Sequence, residues 1–598
     1  MSVETTANYM ARVRAGLSRT NDMSQAPQWI EKNTSHPEDN QRRWTFLGHE
    51  YQIDILSDTA KVVDVQKCSQ VGMSELSVRG MLALLAMERN FTCIYVLPTA
   101  GFASSFTKGR IDPVIESSKY LKAAVNKNVD STEMKQIGTS FLYVKGTIGK
   151  SANISVPAQG LFKDEVDFCD QAALKGFNSR LGHAGDRELQ RGFSTPTVAN
   201  YGINEAFLAG SQAHYCVKCR HCLQWVAPNF ELDVEIPGFN GFISSFEKED
   251  LDSEKVRIHD AFIRCPDCKF PIDWRDICNP TKRQWVHKYP NREKHSYQVC
   301  PYDVPSINPI GKTLSQMTEY QTKKDWVNFK LGYPYEDSQT SFLEAMILAN
   351  KVRRSLTIPS MDDAAEKNPQ VLCHNTFVGI DIGKTSWFIA LKEDDQIAGK
   401  LNIVYQERIR QDGNDYLYRR VKYLEKCLGA VNGVMDAGPD ISTSKKYSMN
   451  GNIGQTWACY YSRKGKDTLE IIEMKEEEGI VRAARTETLN DLAAEVNAGR
   501  IGFLDDDDFP LVRQHLGALK RVDNIIEGEQ ISKWVNTGDD HYGHALNYAR
   551  IAYLVAKARV AEPTAPPVLP MAGGVRMQTR EIDMSKTFAQ LLNGPLLK

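Results

Sequence analysis

The chain lacks a charge bias: 73 Lys and Arg stand against 75 Asp and Glu, a formal net charge of −2. Without an overall basic field, any nucleic-acid partner must be held by local patches. Long apolar runs are missing as well. The most apolar window, "GMLALLAMERNFTCIYVLP", is broken by Glu88, Arg89 and Asn90, so it reads as helix, turn and strand, and no membrane span is expected. The opening "MSVETTANYMARVRAG" lacks the apolar core of a secretory signal. Thirteen cysteines without such a signal point to a reducing compartment, the cytoplasm, where Cys-x-x-Cys pairs favour metal over disulfide.

What is present is ordinary globular material: 42% hydrophobic and 25% charged residues in 598 positions, a length that implies two to four domains. Residues 1–45 are polar and turn-rich and read as an N-terminal arm. Strands and helices alternate over 46–211, as in a parallel α/β sheet. Residues 212–345 hold cysteine pairs in irregular sequence and read as a bridging subdomain. Residues 346–372, charged and with two prolines, read as a linker. A second α/β block spans 373–561, and the Pro- and Gly-rich residues 562–598 read as an exposed tail.

A lysine is missing where the first block most invites one. In "KVVDVQKCSQVGMSELS" (61–77), Val62, Val63 and Val65 predict a buried strand. Val78, Met81, Leu82 and Leu85 then mark one face of a helix. A P-loop places Lys directly before Ser or Thr, but here Met73 precedes Ser74. Gly72 allows close backbone approach, the helix start offers free N–H groups to phosphate, and Ser74 can set its hydroxyl on Mg²⁺. Lys67, at the entry to the turn, is the nearby cation with reach to the β- and γ-phosphates. The bland reading is a plain strand–turn–helix. A decoy, "GTIGKS" (146–151), has Val144 in place of the first glycine and no helical period after it, so it is at most a strand near the nucleotide. "GLFKDEVD" ends an apolar segment in Asp164 and Glu165, a Walker-B pattern of one acid for the Mg²⁺ shell and one to position water. "STPT", which contains Ser194, Thr195 and Thr197, is a polar turn suited to touch a γ-phosphate and report its loss.

Farther on, Cys219/Cys222 and Cys265/Cys268 form two Cys-x-x-Cys knuckles that suit a structural tetrahedral Zn²⁺. Cys216, His221 and Cys278 are alternative ligands, and packed free thiols are the alternative to metal. In the second block, apolar strands end in Asp381 ("FVGIDIG") and Asp436 ("GVMDAG"), and Asp539 and Asp540 precede a helix. Two strand-end carboxylates and one at a helix start make an RNase H-like arrangement. Such a cluster needs divalent cations, and two Mg²⁺ or Mn²⁺ about 4 Å apart can cleave a phosphodiester. The basic runs "SKKYS" (444–448), "SRKGK" (462–466) and "YRRVKYLEK" (418–426) suit a DNA backbone, although solvated helix faces carry such runs too.

The order "KCSQVGMS … GRIDPVIESS … GTIGKSANI … LFKDEVD … STPT" resembles the large terminase subunit of tailed bacteriophages, particularly its lambda-like branch, over roughly residues 45–560. The resemblance implies a P-loop ATPase domain with a parallel sheet, then a zinc-ribbon-like subdomain, then an RNase H-like nuclease. It implies that Lys67 replaces the lysine absent at position 73, that Glu165 is the catalytic carboxylate, and that Ser194–Thr197 is a coupling motif. It further implies Arg110 as an arginine finger and Gln52 as an adenine reader. In the nuclease, Asp381 and Asp436 match the family's first two acids. The motif "DHYGHALNYA" departs from the family by placing His544 where relatives carry Asp; Asp540 is taken as the third acid, His544 as an imidazole ligand and Asp539 as the reserve. The implied partners are ATP, Mg²⁺ or Mn²⁺, Zn²⁺, double-stranded DNA, a small terminase subunit, the portal protein of a procapsid, and further copies of the chain in a ring of five. The expected location is the host cytoplasm and, transiently, the portal vertex. The rival reading is a zinc-ribbon DNA-binding RNase H-like recombinase or nuclease without ATPase activity.

Overall fold

A computed structural model describes residues 23–36, 39–148, 156–336, 341–352, 356–410, 415–438, 441–449, 455–462, 471–526 and 529–560. The chain divides into two compact units, with the main boundary between Tyr335 and Glu336. The tail (562–598), most of the arm, "GKS" of the decoy and most of "SRKGK" lie outside the described residues.

The first unit is built on β1 (Val62–Lys67), α1 (Met73–Met87), β2 (Thr92–Thr99), β3 (Ser140–Ile148), β4 (Gly160–Asp164), β5 (Leu189–Ser194), β6 (Ala213–Lys218) and β7 (Lys294–Val299). These strands lie side by side in the order β6-β7-β1-β5-β4-β2-β3, each parallel to its neighbour. Parallel strands covered on both faces read as continuous apolar runs, as Val63, Val65 and the 93–97 segment do, all fully buried. β7 is a finding that linear reading misses: it follows the cysteine segment in sequence yet pairs directly with β1. The helix Ala26–Asn33 is a second such finding. It buries Ala26 and Ile30 in the core and packs on α1, so residues from 23 on are built into the unit where the sequence predicts an arm. Eight residues are too few for periodicity to reveal a packed face. Residues 217–335 gather a separate apolar core around Phe230, Phe246, Ile263 and Trp326.

The second unit is built on β8 (Thr376–Asp381), β9 (Thr385–Glu393), β10 (Leu401–Arg410), β11 (Ala430–Asp436), β12 (Gln455–Ser462) and α2 (His541–Val560). Their order is β10-β9-β8-β11-β12; β8, β9 and β10 are antiparallel, while β11 and β12 run parallel to β8. This 3-2-1-4-5 order is RNase H-like. Helix α2 lies on β8 and β11 through Ala545, Tyr548, Ala549 and Ala552, all buried. Its approach depends on Gly379: a Cβ there would stand 2.0 Å from the Ala545 carbonyl oxygen. Phe342 and Ile347 lie in this unit's core and Lys351–Val352 pair with Phe503–Leu504, so the predicted linker begins inside packed structure.

Candidate functional site

Three neighbouring strands of the first unit, β1, β5 and β4, end together in Lys67, Ser194 and Asp164. Ligands of parallel sheets bind beyond such carboxyl ends. The turn after β1 bends through Gln70 and Gly72, both with positive φ (59° and 71°), and Gly72 caps α1. The Lys67 ammonium does not face solvent. It lies 3.0 Å from Glu165 Oε1, with the lysine side chain 7% exposed. Burial works against that ammonium, but attraction to Glu165 and Asp164 outweighs it and holds the lysine above its ordinary pKa. Glu165 itself sits in left-handed backbone at φ 53°. Asp164 is fully buried and accepts from Tyr95 Oη at 2.8 Å. Burial, then the Glu165 charge, push it up to about 6 against the pull of Lys67 and of hydrogen bonds from Tyr95 and Ser74. A carboxyl so placed favours a cation beside it. Ser74 therefore stands beside Asp164 at the start of the helix, and both are suited to hold a divalent ion.

The remaining predicted residues are placed unequally. Gln52 is buried beneath the loop: its amide nitrogen donates to the Val71 carbonyl at 3.1 Å and would stand 2.9 Å from a Cβ on Gly72, while its Oε1 has no partner among the described residues. Tyr51 Oη donates to the same carbonyl. Arg110 lies exposed in the π-helical turn Thr107–Ile111. Ser194, Thr195 and Thr197 are buried, and their hub is Asp167, which linear reading missed. Its carboxylate accepts from the Thr197 amide and hydroxyl, both at 2.7 Å, and from the Ile203 amide at 2.7 Å. Burial pushes Asp167 up to about 7 against those bonds. Its only signal in sequence is a third acid in "DEVD". Thr195 Oγ1 is buried and has no partner among the described residues.

The four predicted cysteines converge. Cys219, Cys222, Cys265 and Cys268 place their sulfurs within 4.8 Å of one another, with Cys219–Cys268 and Cys222–Cys265 at 3.7 Å. A tetrahedron with Zn–S of about 2.3 Å has sulfurs about 3.8 Å apart, so the donor set fits zinc. Cys216, His221 and Cys278 stand outside it. Burial opposes ionisation of Cys219, yet N–H groups of Cys222 and His221 aimed at its sulfur lower it to about 7, favouring the thiolate a metal requires.

In the second unit Asp381 and Asp436 end the adjacent parallel strands β8 and β11, and Asp540 immediately precedes α2. Burial, then the Asp381 charge, push Asp436 up to about 6. Asp540 is held below its ordinary value: burial raises it, but the His544 ring, 3.2 Å away, more than compensates. Asp539 is exposed. His541, which sequence reasoning passed over, bonds Asp381 through Nδ1 at 2.8 Å and stacks on Trp387. The acids do not close to the spacing of the cysteines; each is tied to a histidine or an N–H group instead. The basic runs are also largely engaged, Arg419 with Glu366, Arg420 with Glu407 and Lys446 with Asp415.

The fold and these sites define a class: a P-loop ATPase joined to an RNase H-like unit. Residues 50–279 match the family described as "Phage terminase large subunit gpA, ATPase domain". Over those residues the chain is similar to the ATPase domain of a large terminase subunit, which favours the reading with ATPase activity over the rival without it. No curated protein matches the chain. Among solved structures, the bacteriophage HK97 large terminase is similar at 10% identity and TM-score 0.48, covering 88% of this chain and 98% of that one. The large terminase of a thermophilic bacteriophage, in complex with ADP, follows at 10% identity and TM-score 0.29, covering 89% and 98%. The large terminase nuclease of the thermophilic phage G20c shows 16% identity and TM-score 0.23, covering 35% and 95%. Likenesses this distant add no argument of their own.

Proposed function

We propose that this chain is the motor of viral DNA packaging, turning over ATP in the first unit to drive double-stranded DNA into a procapsid and cutting concatemeric DNA with the second. The observation that carries the reading is the Lys67–Glu165 ion pair at the open ends of β1 and β4. It supports a displaced P-loop lysine: an ammonium on the strand before the loop reaches the place that a lysine at position 73 would otherwise serve. Lys67 and the loop amides bind the triphosphate. Drawing the ammonium toward the γ-phosphate frees Glu165 to orient the attacking water, so substrate binding and arming of the carboxylate are one event. Ser74 and Asp164 would hold Mg²⁺, which when bound neutralises phosphate charge. Thr195, with its free hydroxyl, and Thr197, held by Asp167, sense the γ-phosphate. Gln52 braces the loop from below, a position that also suits contact with the base, and Arg110 is an arginine finger for a neighbouring copy.

In the second unit Asp381, Asp436 and Asp540, with His544, would hold Mg²⁺ or Mn²⁺, ions that supply a metal-activated nucleophile and stabilise the leaving oxygen. The cysteine cluster would hold a structural Zn²⁺. The packaging role implies a small terminase subunit, the portal protein and a ring of about five copies, working in the host cytoplasm and at the portal vertex. DNA-stimulated ATP turnover tests the motor: wild type on the portal-bound complex turns over ATP, and Lys67→Ala and Glu165→Ala drop it at least about 100-fold. A wild-type complex without turnover would restore the rival reading.

A further inference from the structure

A cleft of about 460 Å³ lies on the second unit at the start of β9 and the end of β10, lined by Thr385, Trp387, Glu407, Arg408, Arg410 and Tyr416. Its position follows from strand register. Asp381 pairs with Trp387 across β8 and β9, and Trp387 pairs with Arg408 across β9 and β10. Directly opposed residues project to one face, at about 4.8 Å per strand, so the row Asp381–Trp387–Arg408 leads from the nuclease acids into the cleft. Thr385 and Arg410 form the next row on that face.

The charges of the cleft do not cancel. Glu407 is neutralised by Arg420, whose Nε and Nη2 lie 3.0 and 2.8 Å from the two carboxylate oxygens. Arg408 is neutralised by Asp508 at 2.7 Å. Arg410 is exposed and has no ion-pair partner among the described residues, so among the described residues the lining carries one net positive charge. A second observation points the same way: Trp387 is 9% exposed and its buried indole N–H has no acceptor among the described residues. The cleft thus holds one unpaired guanidinium and, in the side chain of Trp387 that lines it, one donor left without an acceptor among the described residues. A guanidinium, an indole N–H and the Thr385 hydroxyl together select an anion rich in acceptor oxygens.

We propose that this cleft binds a backbone phosphate of the DNA strand next to the scissile one, with Arg410 as its cation and Trp387 as its neutral donor. The inference rests on the nuclease reading, since it assigns the strand held beside Asp381. Arg410 and Trp387 act as positioning residues: they hold the strand beside the acids, adding to its binding, and do not touch the reacting atoms.

The test uses the full chain and a fluorescein-labelled DNA duplex, with anisotropy titrations between 50 and 200 mM KCl. One phosphate contact contributes about 0.9 to the slope of log K against log salt, so over this fourfold range it accounts for about a 3.5-fold change in affinity. Arg410→Ala is expected to make the slope shallower by about 0.9 and to raise KM for nicking in Mn²⁺ while kcat stays within about twofold. Arg410→Lys is expected to restore the slope. Trp387→Phe, which keeps the ring and removes the donor, is expected to weaken binding with the slope retained. An Arg410→Ala chain with wild-type slope and KM would overturn the proposal. Failure of the nuclease reading has a different signature: wild type that does not nick, or Asp381→Asn that nicks normally, whatever the slope.

Discussion

Replacing Gly379 by alanine probes the floor of the second site without touching any of its polar groups. A Cβ on Gly379 would stand 2.0 Å from the Ala545 oxygen and 2.2 Å from the Ala549 nitrogen, both backbone atoms of α2. Ordinary contact begins at 3.4 Å, so the helix must retreat by about 3.4 − 2.0 = 1.4 Å. A backbone cannot swing aside as a flexible side chain can, so the substitution costs about 1–3 kcal/mol as overpacking. For a unit of this size that lowers its melting temperature by about 2–12 °C. The catalytic effect is the sharper one. Helix α2 carries His541 and His544 and follows Asp540, whereas Asp381 ends the strand that holds Gly379. Parting them by more than 1 Å misplaces facing ligands, and a misplacement of that order costs about 100-fold in rate. The assay is Mn²⁺-dependent nicking of supercoiled plasmid beside a thermal melt, with ATP turnover as the control for the other unit. Nicking within twofold of wild type together with an unshifted melt would refute the reasoning, because the helix would then not rest on Gly379.

Asp436 gives a pH-dependent test. Its carboxyl is raised from 3.8 to about 6, so the folded state binds its proton more tightly than the unfolded chain does. The stabilisation is complete below about 3.8 and is lost as pH rises through about 6. Linkage across that window makes the metal-free wild type lose of order 1 kcal/mol between pH 5 and 7.5. In urea melts Asp436→Asn is expected not to show this loss and to stop nicking, and excess Mg²⁺ is expected to erase the difference in wild type; parallel profiles would refute it. For the cysteine cluster, elemental analysis after purification without chelator is expected to give about one zinc per chain, and Cys265→Ser to lose metal and stability together. A ratio near zero in wild type would remove the site. For the loop lysine, Lys67→Ala is expected to abolish ATP turnover while leaving Mn²⁺-dependent nicking of plasmid intact; loss of both would show that the residue acts on folding. For the cleft, nicking by Arg410→Ala is expected to show a KM that rises less steeply with KCl than that of wild type, and equal dependence would count against Arg410.

Chemistry that is local in the chain was legible in sequence. The valines of 62–65, the break at Gly72 and the apolar face of α1 announced a strand, a tight turn and a helix, because each follows from spacing and from the backbone freedom of single residues. Asp164 and Glu165, and the two Cys-x-x-Cys pairs, stood out because their chemistry needs adjacent residues. Asp381 and Asp436 were visible as acids at the ends of apolar runs. Asp167, His541 and Trp387 were not, since their meaning lies in what crosses from other strands and helices to meet them.

The amino-acid sequence alone therefore determined the element types, the candidate acids, the cysteine pairs and the absence of an ordinary P-loop lysine, all consequences of neighbours within a few residues. Only the tertiary structure decided that Lys67 turns onto Glu165, that β7 enters the sheet beside β1, that the four sulfurs meet at zinc spacing, and that Asp381, Trp387 and Arg408 form one row. The reason is physical: register and helix placement are set by burial of apolar faces contributed from hundreds of residues away, and no short-range pattern encodes that packing.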